Sequence, residues 1–520
     1  MKRKYEYSVG RKKVVREINY IPGRYIVAMM LTVLEVLAII AIVVLLCMYV
    51  PYFYISAYVT QVACVIKIIS SDDNPDYKVP WLLFVLIIPI VGFLLYLMFS
   101  SRKLKKRYVK RLKEIKSQTY EKDDAEELKR LSEENLSAAN QARMITSIAE
   151  THVFKGGKIK YFPLGEDLMK TLLEDLKKAE KFIFMEYFII DEGEFWNSIL
   201  DILKKKVSSG VEVRVVFDDI GCMTTLPGNY AKILRKQGIK ATPFSRLRGS
   251  ADGEFNNRSH RKITVIDGVI GYTGGINIAD EYINKKVRFG HWKDNGIRLE
   301  GQAVWELTKL FLIDYGINVK DVTESGGKYF PQTQTADGGY VVPFGDGPAP
   351  LYKHAVGKSV IQNMIGGATK YAYMTTPYLI IDNDLCQDIE NAAMRGVDVK
   401  IIVPHIPDKK LVSSISKSYY NRLIDAGVKI YEYEPGFIHA KTYVVDGEYA
   451  MVGTINLDYR SLVHHFENGV WMYGAKVIKD IEKDVLETVD KSILVTERMK
   501  KANVFVRFIR SIFRVFSPLL

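Results

Sequence analysis

The residues with the most chemical capacity in this 520-residue chain occur as two sets with one spacing. In "RSHRKITVIDGVIGYTGGINIAD", His260 is followed by Lys262 and Asp267, then after six residues by Gly274, Gly275 and Asn277. In "FIHAKTYVVDGEYAMVGTINLD", the order is His439, Lys441 and Asp446, then after six residues Gly453, Thr454 and Asn456. Both runs read as strands, in which residues two apart share a face, so each histidine points the same way as its lysine. A lysine supplies fixed positive charge and an imidazole supplies a nucleophile or a proton, which makes each pair a reactive anion site. Downstream, Asp294 precedes Asn295-Gly296 and Glu467 precedes Asn468-Gly469. These carboxylates suit the orientation of a histidine, because a ring nitrogen needs a fixed acceptor to set its tautomer. Asp267 and Asp446 join the candidate catalytic set as motif members. Each stands at an Asp-Gly turn that ends a strand, where a carboxylate reads as structural.

One His-x-Lys pair means little; a second copy matched at six positions excludes coincidence. If two halves pack about a pseudo-twofold axis, two histidines, two lysines and the amides of Asn277 and Asn456 converge on one phosphate. That arrangement stabilises a five-coordinate phosphorus with no metal, and no cofactor is expected. His152, His291, His354, His405, His464 and His465 read as surface or packing residues. Asp218-Asp219 reads as a strand-end turn. The four cysteines form no CxxC pair and suggest neither a disulfide framework nor a zinc site.

The elements that must position these residues also come twice. "AEKFIFMEYFIID" (179–191) answers to "ATKYAYMTTPYLIID" (368–382), "SGVEVRVVFDD" (209–219) to "RGVDVKIIVPH" (395–405), and "KQGIKATPF" (236–244) to "DAGVKIYEY" (425–433). Helical patterns such as "WNSILDILKKKV" and "DLCQDIENAAMR" lie between them. Strands alternating with helices imply an α/β layered sheet in each half. The halves are expected at 151–323 and 351–497, joined by a Gly/Pro/Thr-rich hinge at 324–350. A helical linker is expected within 101–150.

The front of the chain reads as a membrane anchor over 25–100. "YIVAMMLTVLEVLAIIAIVVLLCMYV" (25–50) and the uncharged "PWLLFVLIIPIVGFLLYLMF" (80–99) are each long enough to span a bilayer, the second kinked at Pro89. A third run, 52–69, contains Lys67 and is borderline. The net charge of +13 is unevenly placed: residues 1–24, 102–116 and 498–520 together carry +20, which leaves −7 for the rest. Positive charge beside apolar segments points to anionic lipid, and an acidic body argues against nucleic acid. The positive-inside rule puts the 1–24 tail and the catalytic region in the cytoplasm. The ending "NVFVRFIRSIFRVFSPLL" reads as an interfacial helix, with Arg507, Arg510 and Arg514 in one stripe and Phe505, Phe508, Ile509, Ile512, Phe513 and Phe516 filling the rest.

The two motifs resemble the HxKxxxxDxxxxxxGxxN signature of the phospholipase D superfamily. Stretches such as "NNRSHRKITVIDGVIGYTGGINIADEYI", "SYYNRLIDAGVKIYEYEPGFIHAKTYVVDGEYAMVGTINLDYRS" and the ending "FSPLL" make nearly the whole chain similar to bacterial cardiolipin synthases. "FLIDYG" at 311–316 departs from the family in lacking a tryptophan after the aspartate. The resemblance implies two phospholipase D-like α/β/α sandwich halves related by a pseudo-twofold axis, behind a transmembrane helical anchor in the bacterial cell membrane. It also implies phosphatidylglycerol as donor and acceptor, a phosphohistidine on His260, and His439 as general acid and base. A hydrolase, or a synthase with another head-group donor, stays open as the alternative.

Overall fold

The computed structural model describes residues 2–9, 12–19, 23–50, 52–100, 106–116, 122–246, 256–319, 326–331, 338–496 and 504–519. Residues 102–105 of the basic run, 324–325 and 332–337 of the expected hinge, 498–503 and 520 of the basic tail, and the side chain of Arg507 lie outside the described residues.

Two mixed sheets carry the body. The first has seven strands, in the order Lys158–Phe162, Gly296–Glu300, Ile270–Gly274, Lys262–Ile266, Phe182–Tyr187, Glu212–Asp218 and Lys240–Phe244. The second runs Tyr340–Asp346, Glu467–Tyr473, Tyr449–Gly453, Thr442–Val445, Tyr371–Thr375, Asp398–Pro404 and Lys429–Tyr433, with Phe154–Lys155 and Ser492–Leu494 added at its two edges. Strand for strand the order is the same. So is the direction: four antiparallel pairings and then two parallel ones in each sheet. The repeats in the sequence are therefore one topology written twice.

The strands are buried on both faces, Lys262–Ile266 and Tyr449–Gly453 along their whole length, which is why they read as unbroken apolar runs. Amphipathic helices such as Glu194–Ser208 and Asn383–Met394 cover the outer faces. The inner faces share one core: Phe184, Ile263 and Val265 of the first sheet pack in the same cluster as Val444, Val452 and Val470 of the second. Helix Val304–Asn318 contributes Trp305 and Phe311 to this shared layer, and Phe311 stacks 4.7 Å from Phe184.

Three boundaries differ from the sequence reading. The described end of the expected hinge is no hinge: Tyr340–Asp346 is a fully buried strand paired with Glu467–Tyr473, so the second half begins at Tyr340. The expected linker is helical but belongs to the body. Helix Leu136–Ala149 puts Ala138, Ala142 and Ile145 into the core of the second half, and Ile115 of helix Lys106–Lys116 enters the shared core. The largest change concerns 80–99, which is not one kinked helix. Helix Pro75–Ile87 stops at Ile88, whose backbone (φ −130°, ψ 77°) leaves the helical region, and Pro89–Phe99 folds back on it. Trp81 meets Tyr96 edge-on at 5.6 Å.

Gly92 makes the fold-back possible: a Cβ there would sit 2.2 Å from the carbonyl oxygen of Phe84. The two arms are 13 and 11 residues long. At 1.5 Å per residue they reach roughly 20 and 16 Å, short of a bilayer core of about 30 Å. Among the described residues one helix, Gly23–Tyr49, is long and apolar enough to cross, and no residue of its Met29–Leu46 window is buried within the protein. The loop before the hairpin docks on the second half, where Asn74 Nδ2 donates to Asp382 (2.9 Å) and Asn383 N–H donates to Asp76 (2.8 Å). Replacing Gly92 by valine should overpack this turn and cost about 1–3 kcal/mol. Thermal unfolding in detergent should show a melting point lowered by several degrees, whereas Gly366→Ala, at an open position, leaves it unchanged.

Candidate active site

The motif histidines lie where the halves meet, and each is held by the other half. His260 N–H donates to Phe466 O (2.8 Å), and the segment Ser259–His260 runs beside Phe466. His439 N–H donates to Lys293 O (2.7 Å) beneath the parallel pairing of His291–Lys293 with Gly436–Ile438. These two crossings deliver the carboxylates. Glu467 of the second half contacts His260 Nδ1 through both oxygens (2.9 and 3.0 Å). Asp294 of the first half contacts His439 Nδ1 at 2.7 Å. Each Asn-Gly asparagine also reaches a threonine of the opposite half: Asn295 Nδ2 donates to Thr442, and Asn468 Nδ2 to Thr273 at 2.7 Å.

Both lysines are buried at the start of their strands, Lys262 2% exposed and Lys441 0%. Lys262 Nζ donates to His260 O at 2.6 Å; Lys441 Nζ contacts His439 O, and His439 Nδ1 at 2.8 Å. The glycines after the motif are required by close approach. A Cβ on Gly275 would meet Asp294 Oδ1 at 2.0 Å and His439 O at 2.9 Å, so a side chain there would evict the carboxylate.

Asp267 and Asp446 are not brought to this centre, which corrects their place in the candidate set. Each sits at the far end of its strand in a tight turn with positive φ (54° at both). Asp267 accepts from the N–H groups of Glu180, Lys181 and Phe182 (2.7–2.8 Å), and Asp446 from those of Thr369, Lys370 and Tyr371 (2.8 Å). They fasten the start of the neighbouring strand. The asparagines differ from one another. Asn277 accepts from Ile189 N–H (3.0 Å) and donates to Tyr282 Oη (2.7 Å), so much of its amide is spent on the protein. Asn456 Oδ1 is buried and has no partner among the described residues.

Two residues outside the motifs complete the site. Trp292 lies 5.7 Å from the His439 ring, and His465 lies 5.5 Å from the His260 ring. Both stand two positions before the orienting carboxylate. The "HHFENG" phrase held this signal, masked because the first copy has tryptophan at that place. Of the remaining histidines, His464 packs edge-on against Tyr77 (5.8 Å), and His405 pairs with Glu432 (3.0 Å). Asp218 pairs with Arg258 and accepts from the N–H groups of Ile220 and Gly221, as a strand-end turn requires.

Electrostatics distinguish the two dyads. Burial drives the His260 imidazole well below its usual pKa, against the pull of Glu467, so it rests neutral with Nδ1–H donated to the carboxylate. Burial works to raise the Glu467 carboxyl. The contact with His260, and then the approach of His465 to 3.7 Å, outweigh it and hold Glu467 below the carboxylate range. Ser461 and Thr454 hydroxyls add two further donors. Asp294 has fewer: the Asn295 N–H (2.8 Å) and the His439 ring. Burial pushes it up to about 7, although Lys441 opposes this. His439 is lowered by burial and then by Lys441 and Lys262. Burial brings Lys262 down to about 7 and Lys441 to about 8. Two ammonium groups poised to discharge without an anion form a phosphate site in waiting.

His260, His465 and Glu467 also bring possible metal-ligand atoms within 4.8 Å of one another. Lys262, buried beside His260, opposes a cation there, and that like charge makes the set a poor metal site.

The chain's relatives agree with this geometry. Residues 172–289 and 361–488 each match the family described as "Cardiolipin synthase, PLD-like domain", so each half carries one copy, and residues 59–100 match "Phospholipase_D-nuclease N-terminal". A cardiolipin synthase of Oceanobacillus iheyensis is 34% identical over 89% of this chain and 98% of its own length. The chain belongs to the bacterial cardiolipin synthase family of the phospholipase D superfamily. An uncharacterized protein of Streptococcus mutans is 42% identical over 88% of the chain and 100% of its own. A phosphatidylserine synthase of Haemophilus influenzae superposes over 73% of this chain and 100% of its own, with a TM-score of 0.56 at 15% identity, which shows the shared fold.

Two outcomes test the division of labour. Asp446→Ala removes the acceptor of three backbone N–H groups at one turn and should lower stability by about 2–3 kcal/mol, while the folded fraction keeps its turnover. In free enzyme, kcat/KM on a soluble short-chain phosphodiester should fall more than tenfold between pH 7 and pH 9, as Lys262 and Lys441 lose the protons that bind the anion. A flat profile across that range would remove the lysines from binding.

Proposed function

We propose that the protein joins two phosphatidylglycerol molecules into cardiolipin and releases glycerol. The observation that carries this reading is the crossed pair of dyads, which brings two buried imidazoles and two buried, mutually repelling lysines to the seam between the halves. His260 Nε2 attacks the phosphorus of the first lipid while Lys262 and Lys441 hold the non-bridging oxygens. The P–O bond to glycerol breaks, and His439 donates a proton to the departing oxygen. A phosphohistidine remains on His260. The hydroxyl of a second phosphatidylglycerol then gives its proton to His439 and attacks the phosphorus, freeing His260. Glu467 stabilises the positive charge that His260 acquires, and its well-populated set of donors favours His260 over His439 as the nucleophile. Asp294, near neutrality, shares a proton with His439, which suits a group that must give and then take one. Both histidines are only 7% exposed, and that shielding favours a lipid alcohol over water.

The reading requires a site at the bilayer. We take Gly23–Tyr49 as the full-length crossing and Phe53–Ile69, whose 17 residues reach about 26 Å and which packs on the hairpin through Cys64 and Ile68, as a shorter return crossing, and the hairpin Pro75–Phe99 as a dip that returns to the face it entered. This keeps the 1–24 tail and the catalytic halves together on the cytoplasmic face, in accord with their flanking positive charge. The docking of Asn74 and Asp76 on the second half supports it, since that loop must share a compartment with the catalytic body. The C-terminal helix Val504–Phe516 supports it too. Phe516 packs against Phe84 of the hairpin (5.5 Å), Arg514 lies over Tyr419, and the rings of Phe505 and Phe508 are largely exposed to solvent.

Purified protein in vesicles of phosphatidylglycerol alone should yield cardiolipin and glycerol in equal amounts by mass spectrometry; phosphatidic acid as the main product would replace the synthase by a hydrolase. His260→Ala and His439→Ala should each reduce synthesis by at least a thousandfold, and His439→Ala denatured in alkali, where a P–N bond survives, should retain phosphorylated His260. In sealed right-side-out vesicles, a cysteine placed at Asp73 should resist impermeant maleimide and one placed at Tyr52 should react. Labelling at both positions would restore 80–99 as a crossing.

A further inference from the structure

A reactive group beside His260 that this mechanism leaves idle is the part-buried His465. Its ring lies 5.5 Å from His260 at an interplanar angle of 42°, and its Nδ1 is 3.7 Å from Glu467 Oε1. At the matching place in the first half, Trp292 covers His439 at 5.7 Å and 44°. The two roofs have one geometry and different chemistry. An indole only donates, whereas an imidazole donates at one nitrogen and accepts at the other.

Both ring nitrogens of His465 are shielded from solvent and have no hydrogen-bond partner among the described residues. Packing alone does not explain that choice, since a phenylalanine would fill the space with no nitrogen to strand. The carboxylate closest to the ring is the one that governs His260. Glu467 Oε1 accepts from Ser461 and Oε2 from Thr454, and both oxygens face His260 Nδ1. A fourth donor has room beside Oε1, and a gap of 3.7 Å closes with a small rotation of the ring. Hydrogen bonds at reaction centres are often long before substrate arrives and tighten when it does.

We propose that His465 is a positioning residue for the transfer reaction. As substrate binds, its Nδ1–H turns onto Glu467 Oε1 and holds that carboxylate ionised and aligned on His260 Nδ1. The first half has a tryptophan at this place, so the pseudo-symmetric dyads differ in function. The inference rests on the Glu467–His260 pair acting as read above.

The test is steady-state kinetics against pH on mixed micelles containing phosphatidylglycerol. The enzymes are wild type, His465→Phe, His465→Gln, Glu467→Gln and Asp446→Ala, each checked for its melting point. His465→Phe should lower kcat 10- to 100-fold with KM within about threefold. It should also move the acid limb of kcat/KM up by about one pH unit, because Glu467 loses a donor. His465→Gln restores an N–H and should recover most of both. Wild-type kcat and an unmoved acid limb in His465→Phe overturn the proposal, as does a glutamine variant no better than phenylalanine. Activity that requires added Zn²⁺ and is lost in His465→Phe also overturns it, in favour of a metal held by His260, His465 and Glu467. Should phenylalanine prevent folding, the limb and kcat of the glutamine variant decide alone: near wild type supports the donor role, and a loss like that of Glu467→Gln refutes it. Wild-type turnover in Glu467→Gln would instead defeat the reading of the dyad itself, whatever His465 does.

Discussion

The structure depends on an exchange between its halves: each supplies a histidine and holds the histidine of the other with a carboxylate. Glu467 grips His260 and Asp294 grips His439, through strands that cross the seam before reaching them. Neither half contains a working dyad alone. The shared apolar core and the asparagine–threonine bonds across the seam follow from this requirement, because a carboxylate has to be placed within a few tenths of an ångström of a ring nitrogen. Duplication makes the exchange simple to build. One topology repeated about an approximate twofold axis brings equivalent strand ends to a common point.

Symmetry gives an enclosed site, but a transfer reaction needs its two histidines to do different things at any one moment. The halves break symmetry in their carboxylates and roofs. Glu467 collects donors from His260, Ser461 and Thr454 and stays ionised. Asp294 has fewer and is pushed up to about 7. Burial raises Asp294 and lowers both lysines, and only at Glu467 do neighbouring groups overcome it. The same desolvation that makes an unpaired charge costly makes a bound phosphodiester the best available partner for Lys262 and Lys441.

Much of this was legible in the sequence. The doubled His-Lys-Asp spacing foretold two equivalent halves, and the paired strand phrases fall on equivalent strands. The acid before each Asn-Gly stands beside a histidine. What sequence could not say is which histidine, since tertiary crossing leaves no local mark and both pairings fit equally well. Asp267 and Asp446 share the motif because the fold needs the turn: their carboxylates cap three N–H groups of a neighbouring strand. His465 was hidden by its tryptophan counterpart. The fold-back at Ile88 escaped because hydropathy measures apolarity, not direction; Pro89 with Gly92 three residues later was the trace it left. Tyr340–Asp346 was lost among the glycines and prolines around it, although its alternation of Tyr340, Val342 and Phe344 into one core cluster is that of a strand.

A structure of the protein with orthovanadate, which takes the five-coordinate geometry of phosphorus in transfer, addresses the central claim most directly. One vanadate should sit between the halves with the Nε2 atoms of His260 and His439 on opposite sides of it and both lysine ammonium groups on its equatorial oxygens. Two separate vanadates, or one touching a single histidine while the other faces away, would contradict the account.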